Sequence, residues 1–143
     1  RVGMIAANPT FIGWILKVKS NIDSGMFRPL QLAAAEALHN EDSWHEAMNI
    51  DLYGKRRAVA EQIMDILGCA YDKNQVGMFV WGKIPAELND VEELTEKILH
   101  EARVFITPGF IFGSNGARYI RISLCATEQK LTEAFLRIKE ITK

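Results

Sequence analysis

The stretch Pro108-Gly109-Phe110-Ile111-Phe112-Gly113-Ser114-Asn115-Gly116-Ala117-Arg118-Tyr119-Ile120-Arg121-Ile122-Ser123-Leu124-Cys125 decides how this chain is read. Its first half is a loop, because Pro108-Gly109 and Asn115-Gly116 supply turn chemistry and permit positive backbone angles. Its second half alternates. At period two, Ile120, Ile122 and Leu124 share one face and Tyr119, Arg121, Ser123 and Cys125 the other, the pattern of a strand with a core side and a second, different side. Arg121 is the residue that needs explaining. A guanidinium in mid-strand among apolar neighbours is costly to desolvate unless an anion meets it, and its planar fork suits a carboxylate held through two hydrogen bonds. That anion is either an Asp or Glu of the protein or the carboxylate of a ligand, and the spacing leaves both open.

Working outward, 143 residues of 48% hydrophobic composition suffice for one core, or somewhat more than one. A formal charge of -1, with acidic and basic residues interspersed, gives no footprint for nucleic acid or an anionic membrane surface. No apolar run approaches the roughly 20 residues of a membrane helix, and no basic-then-apolar leader opens the chain, so a soluble, cytoplasmic protein is expected. The chain opens on Arg1 rather than methionine and runs straight into an apolar stretch, which reads as a piece of a longer protein. Cys69 and Cys125 stand in no CxxC or Cys/His spacing and read as core fillers. His39, His45 and His100 miss the i, i+4 spacing of helical metal ligands, and no metal site is expected.

Along the chain, Val2 to Ala7 reads as a buried strand, and Asn8-Pro9 as the start of a helix carrying Phe11, Ile12, Ile15, Leu16 and Val18. The polar break Ser20-Asn21-Ile22-Asp23-Ser24-Gly25 is a loop, and an alanine-rich helix follows from about Pro29 to Leu38. Trp44, Met48, Leu52, Val59 and Ile63 mark one face of a long helix ending near Gly68. At 1.5 Å per residue it would span about 36 Å, more than a small domain needs, so a boundary is expected along it. Beyond Gly68 comes a compact α+β unit. Val76 to Gly82 reads as a strand, Asn89 to Glu93 as a capped helix start, Val104 to Ile106 as a short strand, and Thr127 as the start of a last helix with Leu131, Phe135 and Ile138 inward. Phe79, Trp81 and Phe112 could line a pocket beside Arg121 or simply belong to the core, and Arg56 and Arg57 read as surface charges or partners of carboxylates such as Glu61.

The three glycines of the loop fit neither GxGxxG nor a Walker loop, and there is no G-x-S-x-G elbow, no HExxH and no pair of catalytic carboxylates. The order of Arg1-Val2-Gly3, Ser20 to Gly25 with Gln31, Gly77-Met78-Phe79-Val80-Trp81, Pro108-Gly109 to Gly116, and Tyr119 to Ser123 nevertheless closely resembles the C-terminal part of the class I/II, fold type I, pyridoxal-phosphate-dependent aminotransferases. The resemblance covers essentially the whole chain, and its most specific part is Pro108 to Cys125.

The resemblance implies an α/β (α+β) fold: a C-terminal small domain with a short mixed or antiparallel sheet packed with helices, preceded by the end of a large domain and a long connecting helix. The expected division is 1–45 for the end of the large cofactor-binding domain, 46–68 for the helix and 69–143 for the small domain. It implies an enzyme that moves an amino group between an α-amino acid and a 2-oxo acid as a homodimer, with pyridoxal phosphate as cofactor. By the same resemblance, Arg121 grips the substrate α-carboxylate, Arg1 contacts the cofactor phosphate, and Ser24 lies near that phosphate or near the substrate of the neighbouring subunit. The lysine that bonds the cofactor covalently, and the aspartate that pairs its ring nitrogen, lie upstream of Arg1 in the family. No catalytic residue is therefore expected in this piece, and by itself it should not transaminate. A lyase or synthase of the same cofactor family, and a stand-alone module that binds an amino acid through Arg121, are the alternatives.

Overall fold

A computed structural model describes residues 2–142, with Glu41 and Asp42 described in their backbone only. Contacts divide the chain into two units, 1–45 and 46–143.

In the first unit, Asn8 caps helix α1 (Pro9–Ile22) by accepting from Thr10 N–H at 2.9 Å, and Pro9 occupies the first turn, where no N–H is needed. Helix α2 (Arg28–His39) also begins with a proline in its first turn, and α3 (Glu41–Glu46) follows. The strand expected over Val2 to Ala7 does not form; these residues are irregular and exposed. A strand is stable only against a partner, and none pairs with this one among the described residues. No described side chain of this unit is buried, and Phe11, Trp14, Leu16, Val18 and Ile22 of α1 all face solvent. An apolar face of this size is that of an element made to be covered.

The second unit has the core. The stretch expected as one long helix is π-helical from Ala47 to Leu52 and α-helical from Tyr53 to Ile66, here α4. Gly54 sits at that change of winding, where a Cβ would stand 3.2 Å from the Asn49 carbonyl oxygen. Three strands form an antiparallel sheet in the order β1 (Phe79–Lys83), β3 (Tyr119–Ser123), β2 (Thr107–Pro108). Arg121 thereby stands in the central strand, opposite Trp81 on one side and Thr107 on the other. Helix α5 (Val91–Lys97) is capped by Asp90, which accepts from Glu92 N–H at 3.0 Å, and it continues as a π-helix to Ala102. Helix α6 (Glu128–Ile141) is capped by Thr127.

Ile120, Ile122 and Leu124 point into one core with Ala60, Ile63 and Met64 of α4 and with Leu131 and Ile138 of α6, as the alternation requires. Helix α4 crosses so close to β1 that a Cβ on Gly82 would lie 2.6 Å from Met64 Sδ. Two strands are displaced from expectation. Val76 to Met78 stay outside β1, since Gly77 turns the chain at φ +93°, and β2 begins at Thr107 after the left-handed Arg103, leaving Phe105 exposed. No helix among the described residues is long and apolar enough to cross a membrane.

Of the cysteines expected as core fillers, only Cys69 is buried. Cys125 is exposed because it follows the end of β3 and falls on the solvent side of the alternation. Burial pushes the Cys69 thiol up to about 11, leaving almost no thiolate at neutral pH. In the folded chain Ellman's reagent should therefore modify Cys125 rapidly and Cys69 only after denaturant is added. Release of two equivalents at equal rates from the native chain would contradict this packing.

Candidate carboxylate site

Arg121 leaves the core to its neighbours and extends from the opposite face of β3. Its guanidinium carbon lies 4.1 Å from the ring centre of Phe79 and 4.1 Å from that of Phe112. Phe79 comes from β1, where it pairs with Ser123 and so stands diagonal to Arg121 on the same face. Phe112 comes from the glycine loop. Each such contact contributes on the order of 0.5–2 kcal/mol, the higher value when water is excluded. The two rings pack against the guanidinium, Nε is buried without a hydrogen-bond partner, and no carboxylate pairs with the side chain among the described residues. The internal Asp or Glu partner that the sequence allowed is thus not found among them. The terminal nitrogens meet no acceptor among the described residues and are not fully buried, so an anion can reach them.

The loop is built to place Phe112. After β2 the chain makes a 3₁₀ turn from Gly109 to Phe112 and a second from Ser114 to Gly116. Gly109 and Gly116 press together at its neck: a Cβ on Gly116 would lie 2.1 Å from the Gly109 carbonyl oxygen, and one on Gly109 would lie 2.5 Å from that of Gly116. Gly113, at φ +122° and ψ 170°, occupies a region open in practice only to glycine. What reads in sequence as ordinary turns is a pinched hairpin whose tip bears an aromatic ring. Phe112 is in turn held edge-on by Trp81, with ring centres 5.4 Å apart. Beside this layer, a cleft of about 260 Å³ opens where β2 leaves β3, with Thr107, Arg121, Ser123 and Lys130 among its lining.

Arg118, which the sequence did not single out, has a different task. Its guanidinium donates to the carbonyls of Pro85 at 2.6 Å, Asn89 at 3.1 Å and Leu88, closing the loop before α5. Arg56 and Arg57 are not paired with Glu61. They donate to the carbonyls of Leu124 at 2.9 Å and Gly77 at 2.7 Å, targets that sequence spacing cannot show.

Of the other expected site residues, Arg1 lies outside the described residues. Ser24 is exposed on the loop after α1, in the first unit, whereas Arg121 belongs to the second. Next to Ser24, Asp23 is held below the ordinary carboxylate value by its 2.7 Å bond to Lys19. One hydroxyl beside an ionised carboxylate does not make a phosphate cradle, so the described residues do not by themselves form a cofactor site.

A sequence profile of the family "Aminotransferase class I and II" matches residues 1–138. The chain belongs to the class I and II aminotransferases. LL-diaminopimelate aminotransferase of Nitratidesulfovibrio vulgaris (strain DSM 19637 / Miyazaki F) is 34% identical over 141 residues, which is 99% of this chain and 36% of that protein. Among solved structures, a Methanococcus jannaschii protein whose active site is described as similar to that of kynurenine aminotransferases matches with a TM-score of 0.76 at 29% identity, over 96% of this chain and 36% of the other. The aromatic aminotransferase of Pyrococcus horikoshii matches with a TM-score of 0.63 at 33% identity, over 78% of this chain and 30% of the other. The chain thus spans about a third of the length of the relatives it matches. Enzymes of this family depend on pyridoxal phosphate. The resemblance to this family holds, and so does the expected α/β fold with its small antiparallel sheet.

In this aminotransferase chain the glycine neck should tolerate no side chain. Gly116→Ala is expected to destabilise the second unit by about 3 kcal/mol, the upper end of what overpacking costs, read as a lower urea midpoint at unchanged slope. An unchanged midpoint would show that the Gly109–Gly116 approach is not tight.

Proposed function

We propose that the chain is the C-terminal part of an aminotransferase that transfers an amino group between an α-amino acid and a 2-oxo acid, and that Arg121 is the residue holding the α-carboxylate of both. The observation that carries this is a guanidinium in the central strand, 4.1 Å from each of two ring centres, with no carboxylate partner among the described residues. Two parallel N–H donors in one plane match a carboxylate, and the surrounding rings lower the local dielectric, which strengthens the pair. Binding by both substrates' shared group is the economical solution for an enzyme that must accept an amino acid and then an oxo acid at one place. With the carboxylate fixed, Cα is presented in a constant position, and positional errors near 1 Å can cost about 100-fold in rate.

Pyridoxal phosphate, when bound, supplies the electron sink for the chemistry at Cα. Arg1 and Ser24 are assigned to its phosphate by the family resemblance, together with segments outside this chain. On this reading 1–45 belongs to the large domain, 46–68 to the connecting helix and 69–143 to the small domain. The lack of any buried side chain among the described residues of the first unit supports that division, since the apolar face of α1 calls for cover from the large domain. The working protein is a cytoplasmic homodimer. LL-diaminopimelate is the first amino donor to test, being the substrate named for the relatives at 34% identity.

In the full-length enzyme, Arg121→Ala should raise KM for the amino acid and for the oxo acid together, by about 100-fold, the usual scale for truncating one side of a desolvated charge pair. Steady-state kinetics with both substrates unchanged would remove Arg121 from this role. The purified 143-residue chain, mixed with pyridoxal phosphate, an amino acid and 2-oxoglutarate, should give no turnover and no absorbance beyond that of free cofactor. Measurable amino transfer would show that the reactive lysine lies within these residues.

A further inference from the structure

One patch of α4 grips the end of the sheet that bears the Arg121 site. Tyr53, Arg56 and Arg57 stand at i, i+3 and i+4, on one side of the helix. Arg57 Nη2 donates to Gly77 O at 2.7 Å, Arg56 Nη1 donates to Leu124 O at 2.9 Å, and the Tyr53 hydroxyl meets Met78 Sδ at 3.5 Å. The two strand ends they reach are themselves joined, Leu124 N–H donating to the Met78 carbonyl at 2.9 Å. Arg56 also lies over the Tyr53 ring, 5.7 Å from its centre. Neither arginine has a carboxylate partner among the described residues, and each keeps one buried nitrogen, Arg56 Nε and Arg57 Nη1, without an acceptor.

Before the segment so held, Gln75 accepts from Trp81 N–H at 2.8 Å and donates to the Trp81 carbonyl at 3.1 Å; residues 76–78 themselves are less fixed. Val76 and Met78 are exposed, Gly77 takes φ +93° with nothing within 4 Å of where a Cβ would be, and the ladder begins only at Phe79. Phe79 is the first residue of β1 and one of the two rings on Arg121. Residues 77 and 78, which Arg57 and Tyr53 of α4 reach, lead directly into it.

We propose that Arg57, with Arg56 and Tyr53, is a positioning residue for the carboxylate site: it fixes the entry of the chain into β1, hence the Phe79 ring, hence the plane of the Arg121 guanidinium. This rests on the reading of Arg121 as the carboxylate holder. Two guanidinium forks suit the task because a planar, rigid donor set fixes the direction of a backbone carbonyl, whereas an ammonium on a flexible stem fixes only its distance.

The test uses the full-length enzyme. Arg57→Met, which keeps an apolar stem, should raise KM for amino acid and oxo acid alike by about tenfold, part of the cost of a 1 Å misplacement, with kcat within about twofold. Arg57→Lys should do the same to a smaller degree, and it serves in place of Arg57→Met if that variant does not fold. Phe79→Leu should also raise both KM values, and adding an Arg57 substitution to it should change them little further, because both act through one ring. A lower melting temperature with unchanged KM, or effects of Arg57 and Phe79 that simply multiply, would overturn the proposal and leave Arg57 as a loop anchor. Arg121→Lys is measured alongside. If it too leaves KM unchanged, the carboxylate reading itself has failed; if it raises KM while the Arg57 variants do not, only the positioning role is lost.

Discussion

A guanidinium in the central strand of a three-stranded sheet cannot be placed there without arranging the residues around it, and much of the second unit follows from that constraint. Desolvating a charge of this kind costs several kcal/mol, whereas two ring contacts return on the order of 1–4 kcal/mol together. The rings therefore orient Arg121 without neutralising it. To supply them, β1 must lie antiparallel and in register so that Phe79 falls diagonal to Arg121, and the loop before β3 must be pinched at Gly109 and Gly116 so that Phe112 folds back over it. The opposite face of the same strand then has to be unusually secure. Ile120 and Leu124 are fully buried between α4 and α6, which anchors the strand against the strain of carrying a bare cation on its other side.

What could be read from sequence is the part governed by periodicity. The alternation through β3 places each inward and outward residue as observed, and the caps Asn8, Asp90 and Thr127 start their helices because side-chain acceptors at those spacings meet free N–H groups. What could not be read depends on partners distant in the chain. Arg56 and Arg57 donate to carbonyls 68 and 20 residues away, and a backbone carbonyl has no signature in sequence, so nearby carboxylates looked like the natural partners. Val2 to Ala7 has the composition of a strand but, among the described residues, no strand beside it. The offset of β2 to Thr107 follows from the left-handed turn at Arg103, which composition alone does not announce.

The candidate site was half legible. An unexplained arginine in an alternating strand pointed to an anion, and family order pointed to a substrate carboxylate. The aromatic residues beside it were legible only as pocket or core. The structure gives a third place for them: Phe79 and Phe112 pack against the Arg121 guanidinium, and Trp81 holds Phe112 edge-on.

The comparison that separates the two arginines lies within three residues of sequence, Arg118 in the turn before β3 and Arg121 inside it. Arg118 and Arg121 carry the same side chain, yet Arg118 meets the carbonyls of Pro85, Leu88 and Asn89, and Arg121 meets none. A fork that already binds carbonyls is occupied as a donor and serves to close a loop. A fork with its Nε buried and no acceptor among the described residues has its donors still available. Charge alone would not distinguish the two, nor would burial, since both residues are partly buried. The distinction is in the hydrogen-bond inventory, where a donor set this strong is seldom left empty unless a ligand completes it.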